Sequence, residues 1–176
     1  MLPVILTLAL GLIEFGFVFK DYLTLSNMTR AGARVGSSDG NVQQSDYDIL
    51  QAVKSAASAL PANSIQYIVV WEANGTTSTT PTDATCFTTG KAGFCNRYVP
   101  SDINRPKTDF TCASANALDG WWCPTSRVVA QGAAGGAGTD TVGIYIKVNH
   151  SYLTGMFGST KVLSDGVAMR IEPKTS

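Results

Sequence analysis

Charge and histidine are both scarce in this chain. Thirteen Lys and Arg balance thirteen Asp and Glu, charged residues make up 15% of the chain, and there is one histidine, His150. A balanced, thinly charged chain has no basic footprint for nucleic acid and no acidic tail. A single histidine with no partner motif gives no catalytic triad, and the neighbouring Ser151 does not make one. There is no phosphate-cradling G-x-x-x-x-G-K-[ST] and no H-E-x-x-H. The glycine run at residues 132–138 follows no credible nucleotide-binding strand and reads as a flexible connector. Asp39-Gly-Asn41 reads as a turn before it reads as a calcium site. No cofactor, no metal and no enzymatic activity are expected.

Cysteine is present in only four copies, Cys86, Cys95, Cys112 and Cys123, all in one loop-rich stretch. Structural zinc sites bring ligands in close pairs such as C-x2-C, and these spacings are wider. An even number behind an N-terminal apolar segment points to disulfides in an oxidising compartment. Four cysteines allow three connectivities. Short loops close most readily, so Cys86–Cys95 and Cys112–Cys123 are the expected pairs, each worth roughly 2–3 kcal/mol in the chain-entropy picture.

The apolar content is concentrated at the start. Residues 1–19 read MLPVILTLALGLIEFGFVF, interrupted only by Thr7 and Glu14. About 19 helical residues span roughly 28 Å, close to the hydrocarbon thickness of a bilayer. A cleaved signal peptide would show a positive start, a shorter apolar stretch and a small-residue exit, and none is present. A plain anchor fits the length but leaves a mid-membrane carboxylate without a partner. A pilin-type helix gives Glu14 a place to go: membrane-held before assembly, packed among identical helices afterwards. Glu14 is then a contact residue that sets register, with Lys20 or a neighbour's N-terminal amine as the cation. Gly11, Gly16 and Ala9 offer small surfaces for close helix approach.

The helical pattern continues past the membrane length. Tyr22, Leu25, Met28 or Thr29, Gly32 and Val35 form one stripe, and Leu23, Asn27, Arg30 and Arg34 form another. One helix from about Leu2 to about Val35, near 50 Å long, is expected. Residues 37–41 form a turn cluster with Gly40 suited to positive φ. A second helix starts at Ser45 as N-cap and ends before Pro61, burying Ile49, Leu50, Val53, Ala56, Ala57 and Leu60. Asp46 and Asp48 suit its first turn.

Residues 64–73 (SIQYIVVWEA) then read as an interior strand, and VGIYIKV at 142–148 and VAMRIE at 167–172 as antiparallel strands. Residues 149–166 make a long connection turning at Gly155 to Gly158. Residues 74–141 read as a polar insertion without regular structure, held by the cysteines. Trp121 and Trp122 pack over a disulfide or form a contact patch. Asn27, Asn74 and Asn149 begin N-x-[ST] sequons, of which Asn74 is the plausible exposed one. The fold class is α+β: a hydrophobic stalk helix (residues 1–36), then a second helix on an antiparallel sheet in a disulfide-stapled head (residues 37–176).

Three motifs resemble the TadE/TadG-like family of tight-adherence pilus proteins. Gly11-Leu-Ile-Glu-Phe-Gly16 is similar to the family's G-I-I-E-F-G. Asn27-Met-Thr-Arg-Ala-Gly-Ala-Arg34 is similar to N-A-A-R-E-G-A-R. Leu163-Ser-Asp-Gly-Val-Ala-Met-Arg-Ile-Glu172 resembles the closing strand L-S-A-x-A-x-M-R-V-E, and residues 142–157 resemble the strand before it. Family precursors carry another Glu-Phe pair ahead of the position of Met1, which is absent here, so a trimmed start or a different processing site is expected. The resemblance implies a pilin or pseudopilin, inserted in the inner membrane before assembly, handled by pilus assembly machinery and carried to the cell surface. Its partners would be copies of itself in a helical homopolymer. The alternative is a minor pseudopilin or membrane-anchored assembly component of the same secretion and adhesion system.

Overall fold

The computed structural model describes residues 2–61, 63–74, 78–113, 117–129, 138–155 and 157–173. Helix α1 runs unbroken from Leu2 to Asp39. It lacks proline after Pro3, where a missing N–H costs nothing, and it ends at Gly40, whose φ is 58°. The helix therefore outruns the expected stop near Val35 by one turn, through residues 37–39 that read as turn formers. Glu172 N donates to Ser37 O at 2.9 Å and Ser37 Oγ to Arg170 O at 2.6 Å, so the end of the chain holds that turn in place.

Helix α2 spans Ser45–Ala56 and continues as a 3-10 turn at Ala57–Ala59. Its N-cap is Gln44, with φ 68° and no side-chain capping bond, rather than Ser45. Ser45 lies inside the first turn with its hydroxyl buried and unpartnered among the described residues. The corner is closed by backbone bonds instead, from Ser45 N to Val42 O at 3.1 Å and from Tyr47 N to Gln44 O at 3.0 Å.

Four strands form one antiparallel sheet in the order β2-β1-β3-β4: β1 Ile65–Glu72, β2 Cys95–Tyr98, β3 Thr141–Ser151 and β4 Thr160–Arg170. β1 is interior, as its two apolar faces require, pairing Ile68 with both Tyr98 and Ile146. The region 74–141 is not free of regular structure. It supplies the edge strand β2 and short 3-10 turns at Ala84–Phe87, Asp102–Asn104, Lys107–Asp109 and Pro124–Ser126. The parts of its Gly/Ala connector and Thr-rich loop at 130–137 and 75–77 lie outside the described residues.

β3 and β4 are longer than their apolar alternation. They pair from Thr141↔Arg170 to Ser151↔Thr160, whereas β1 covers β3 only over Val142–Val148. Beyond β1 the two strands form a ribbon that projects alongside α1. β3 and β4 thus stay paired out to Ser151 and Thr160, with Tyr152 N donating to Ser159 O at 3.1 Å, rather than parting for an 18-residue excursion.

Both sheet faces are covered. On one, Ile68, Val70, Val142, Ile144, Ile146 and Val148 pack against Leu25, Met28 and Ala33 of α1 and Ile49, Leu50 and Val53 of α2. Each of these fully buried Val, Leu, Ile and Met side chains stabilises by about 1.5–3 kcal/mol. On the other face Tyr67, Val69, Trp71 and Tyr145 meet Cys86, Cys95 and Phe87 of the insertion. A Cβ at Gly143 would stand 2.3 Å from the Trp71 ring, so the indole lies flat on β3 because that position has no side chain. Of the expected stripe, Leu25, Met28, Thr29 and Gly32 are buried and Val35 half-buried, but Tyr22 is exposed; Leu23, Asn27, Arg30 and Arg34 of the other stripe are exposed. The second half of α1 is therefore part of the head's core. The change from unpacked to packed helix falls near Lys20, inside α1.

Candidate functional site

The first half of α1 is inside out. From residue 3 to residue 19 the apolar side chains are exposed apart from half-buried Val18, with Leu12 at 74% and Phe15 at 70%, and the one buried residue is the one carboxylate, Glu14, at 1%. Water would arrange such a helix the other way round. The helix is long and apolar enough to cross a membrane.

Glu14 is held by the β3–β4 turn. Leu153 N donates to Oε2 at 3.1 Å, and Thr154 Oγ1 donates to Oε1 at 2.8 Å. Thr154 N also donates to Oε1. Lys20, expected as a cation for Glu14, instead donates to Ala59 O at 2.9 Å, beneath the end of α2. The reason is helical geometry. Side chains meet at spacings of three or four, and six residues place these two on different faces. Of the small residues, Gly11 lies under the Phe157 ring, 3.8 Å from where a Cβ would be, while Gly16 faces open space. The structure thus gathers Glu14 and Gly11 around one turn and leaves Gly16 and Lys20 outside it. Gly11, Glu14, Phe15, Val18, Tyr152 and Phe157 line a shallow hollow there.

Two turns further along the stalk, His150 Nδ1 lies 2.7 Å from Asp21 Oδ2, both side chains buried. His150 is therefore a packed residue at the stalk–head junction, set edge-on to Tyr152 at 5.2 Å. Its Nε2 is buried without a partner among the described residues.

The head contains a second polar cluster that sequence reasoning missed. Asp46, read as a first-turn dipole partner, is fully buried. Its carboxylate accepts from Asn96 Nδ2 at 2.9 Å, Tyr98 Oη at 2.7 Å and Arg127 Nη2 at 2.6 Å. The Tyr98 hydroxyl also lies 2.8 Å from Asp119 Oδ1. Burial, and then the Asp46 charge, push the Asp119 carboxyl up to about 7. Burial and the same charge raise the Tyr98 phenol well above its usual value. Asn96 further bonds Trp122 O and N at 2.8 Å each, and Arg127 stacks over Trp122 at 4.2 Å. The cluster ties α2, β2 and the insertion together. Shifted carboxyls mark catalytic sites when they line a cleft, but Asp46 and Asp119 are sealed from solvent.

Cys86 is bonded to Cys95 and Cys112 to Cys123, the pairs that short loops favour. Trp121 is partly exposed and packs on Gly90, while Trp122 is buried. Asn149 bonds Gln66, and Asn74 bonds Glu72 and Asp140. Among the described residues no three His, Cys, Asp or Glu side chains are grouped to hold a metal ion. A signal for the turn was present in the sequence: residues 152–160 carry no charge and include Leu153, Met156 and Phe157. What sequence could not supply was the partner on α1, about 140 positions earlier.

The comparisons bear on the stalk. The family model for TadE-like protein matches residues 1–34, the apolar segment and the first part of the head-packed helix. No curated protein and no solved structure matches the chain.

Proposed function

We propose, with the TadE-like match as premise, that this chain is a structural subunit of a tight-adherence pilus rather than an enzyme. Its stalk sits in the membrane before assembly and packs among the stalks of other copies afterwards, with the heads outward. One observation carries the reading. Residues 3–19 expose an apolar surface that the head does not use, because the head's core is complete from Leu25 onward. Such a surface needs lipid or other copies. A head-to-tail contact between identical chains generates an open helical polymer when the rotation does not close. Gly16 and Ala9, both exposed, are the places where a neighbouring helix approaches closely. Glu14 acts by fixing the β3–β4 turn to the stalk, so that neighbours meet a surface of one shape.

The experiment is electron microscopy of material sheared from cells, on the parent and two variants. Filaments built of this chain alone are expected from the parent. Glu14→Ala loses all the bonds to residues 153 and 154 and is expected to reduce filaments at least tenfold while leaving export and head folding intact. Glu14→Gln retains an acceptor for Thr154 and is expected to be milder. Normal filaments from Glu14→Ala would remove Glu14 from assembly. Filaments made of another protein, with this chain only in traces, would select the second reading: a minor pseudopilin or membrane-anchored assembly component. The stalk match supports that reading equally.

A further inference from the structure

We infer that the β3–β4 turn is a membrane-interface element. With the stalk in a bilayer, residues 152–155 and 157–159 lie among the headgroups and upper acyl chains, with Leu153 and Phe157 turned towards lipid. The inference rests on the reading of the stalk as a membrane span before assembly and adds a second, head-derived contact to it.

Height comes first. Lys20 is fixed under the base of the head by its bond to Ala59 O. Glu14 is six residues nearer the N-terminus, about 9 Å along the axis at 1.5 Å per residue. The turn is bonded to Glu14 through Leu153 N and Thr154. It therefore lies beside Phe15 and Val18, at the level of helix that is apolar and otherwise uncovered. A stalk sunk in lipid past Phe19 brings the turn into the bilayer with it.

The turn is also built for that place. Lipid offers no hydrogen bonds, so backbone groups there need partners inside the protein. Leu153 N and Thr154 N are taken by Glu14, Tyr152 N donates to Ser159 O at 3.1 Å, and Gly158 N to Gly155 O at 3.2 Å. The side chains go the other way: Leu153 is 75% exposed and Phe157 59%. No charge occurs from residue 152 to residue 160. Charge returns at Lys161, exposed and paired in register with His150, one step nearer the head. Tyr152, packed on Phe157 at 6.0 Å, supplies the amphipathic ring favoured at such a boundary. Apolar groups buried about 5–10 Å deep beneath a flanking lysine are the pattern of interfacial segments. Glu14 then sits at interface depth inside its own chain's hydrogen bonds, not bare at the bilayer centre.

The test uses the full chain, disulfides intact, in phosphatidylcholine–phosphatidylglycerol vesicles whose acyl chains are brominated at a shallow or a deep position. Leu153→Trp adds an indole at the turn, and Val42→Trp adds one beyond the far end of α1. The native Trp71, Trp121 and Trp122 emission is subtracted with the parent. Expected is a blue-shifted added emission from Leu153→Trp, quenched about twofold or more by shallow bromine and less by deep bromine, with no quenching of the Val42→Trp signal. Adding Glu14→Ala to Leu153→Trp is expected to remove about half the quenching, because the turn is no longer held down. A chain that floats with the vesicles after an alkaline wash but whose turn indole is quenched no more than the Val42→Trp control overturns the inference alone. An indole shielded only in lipid-free polymer also overturns it, assigning the surface to a neighbouring copy. Failure to float overturns the membrane reading of the stalk and this inference together.

Discussion

Asp119→Asn is expected to stabilise the head, and by more the higher the pH. The Tyr98 hydroxyl has one proton and stands 2.7 Å from Asp46 Oδ2 and 2.8 Å from Asp119 Oδ1. It can donate to one carboxylate only. The other contact needs a proton from the acid, and Asp119 is the one whose carboxyl is raised, by burial first and by Asp46 second, to about 7 from an ordinary 3.8. Between those values the native state binds a proton that the unfolded chain has released. Stability from this group is therefore complete below about pH 4 and is lost as pH rises through about 7. At 1.36 kcal/mol per pH unit, the interval corresponds to about 4 kcal/mol. The amide of Asp119→Asn is neutral at every pH and keeps a donor for the Tyr98 oxygen. The variant is expected to match the parent near pH 4 and to exceed it by up to about 4 kcal/mol at pH 8. Guanidinium unfolding of the full chain in detergent micelles, followed by the fluorescence of buried Trp71 and Trp122, reads the difference. Parallel stability–pH curves for the two proteins, or a less stable variant at pH 8, would refute the shared-proton account.

Gly143→Ala places a methyl 2.3 Å from the Trp71 ring. Overpacking of this kind costs about 1–3 kcal/mol. A lower guanidinium midpoint with an unchanged slope is expected, and an unchanged midpoint would show that the indole can move aside freely. Removing residues 1–19 is expected to leave a soluble, monomeric, folded head, because Leu25, Met28 and Ala33 remain to complete the core. Analytical ultracentrifugation and near-ultraviolet circular dichroism check it. A molten or associated product would mean that the first half of α1 supports the head.

The sequence by itself determined the elements whose signal is local. An apolar run of membrane length, a helical stripe at Leu25, Met28 and Gly32, and β-branched strands at 65–72 and 142–148 each follow from side-chain periodicity, which depends only on near neighbours. The disulfide pairs followed from short spacing. What only the tertiary structure decided depends on residues far apart in sequence. β2 has four residues, too few for a period, and exists because β1 offers an edge. β4 begins seven residues before its apolar alternation because β3 supplies backbone partners along its whole length, whatever the side chains. Asp46 reads as a surface residue of a helix start until Asn96, Tyr98 and Arg127 close over it. Glu14 shows the division most clearly. Its position in a greasy helix announced that it needs a partner, since a carboxylate away from water must be satisfied. Lys20 is near in sequence but on another helix face. The groups that satisfy Glu14 are backbone N–H groups and a hydroxyl of a turn about 140 residues away, and no side-chain pattern encodes where a ribbon's tip will land.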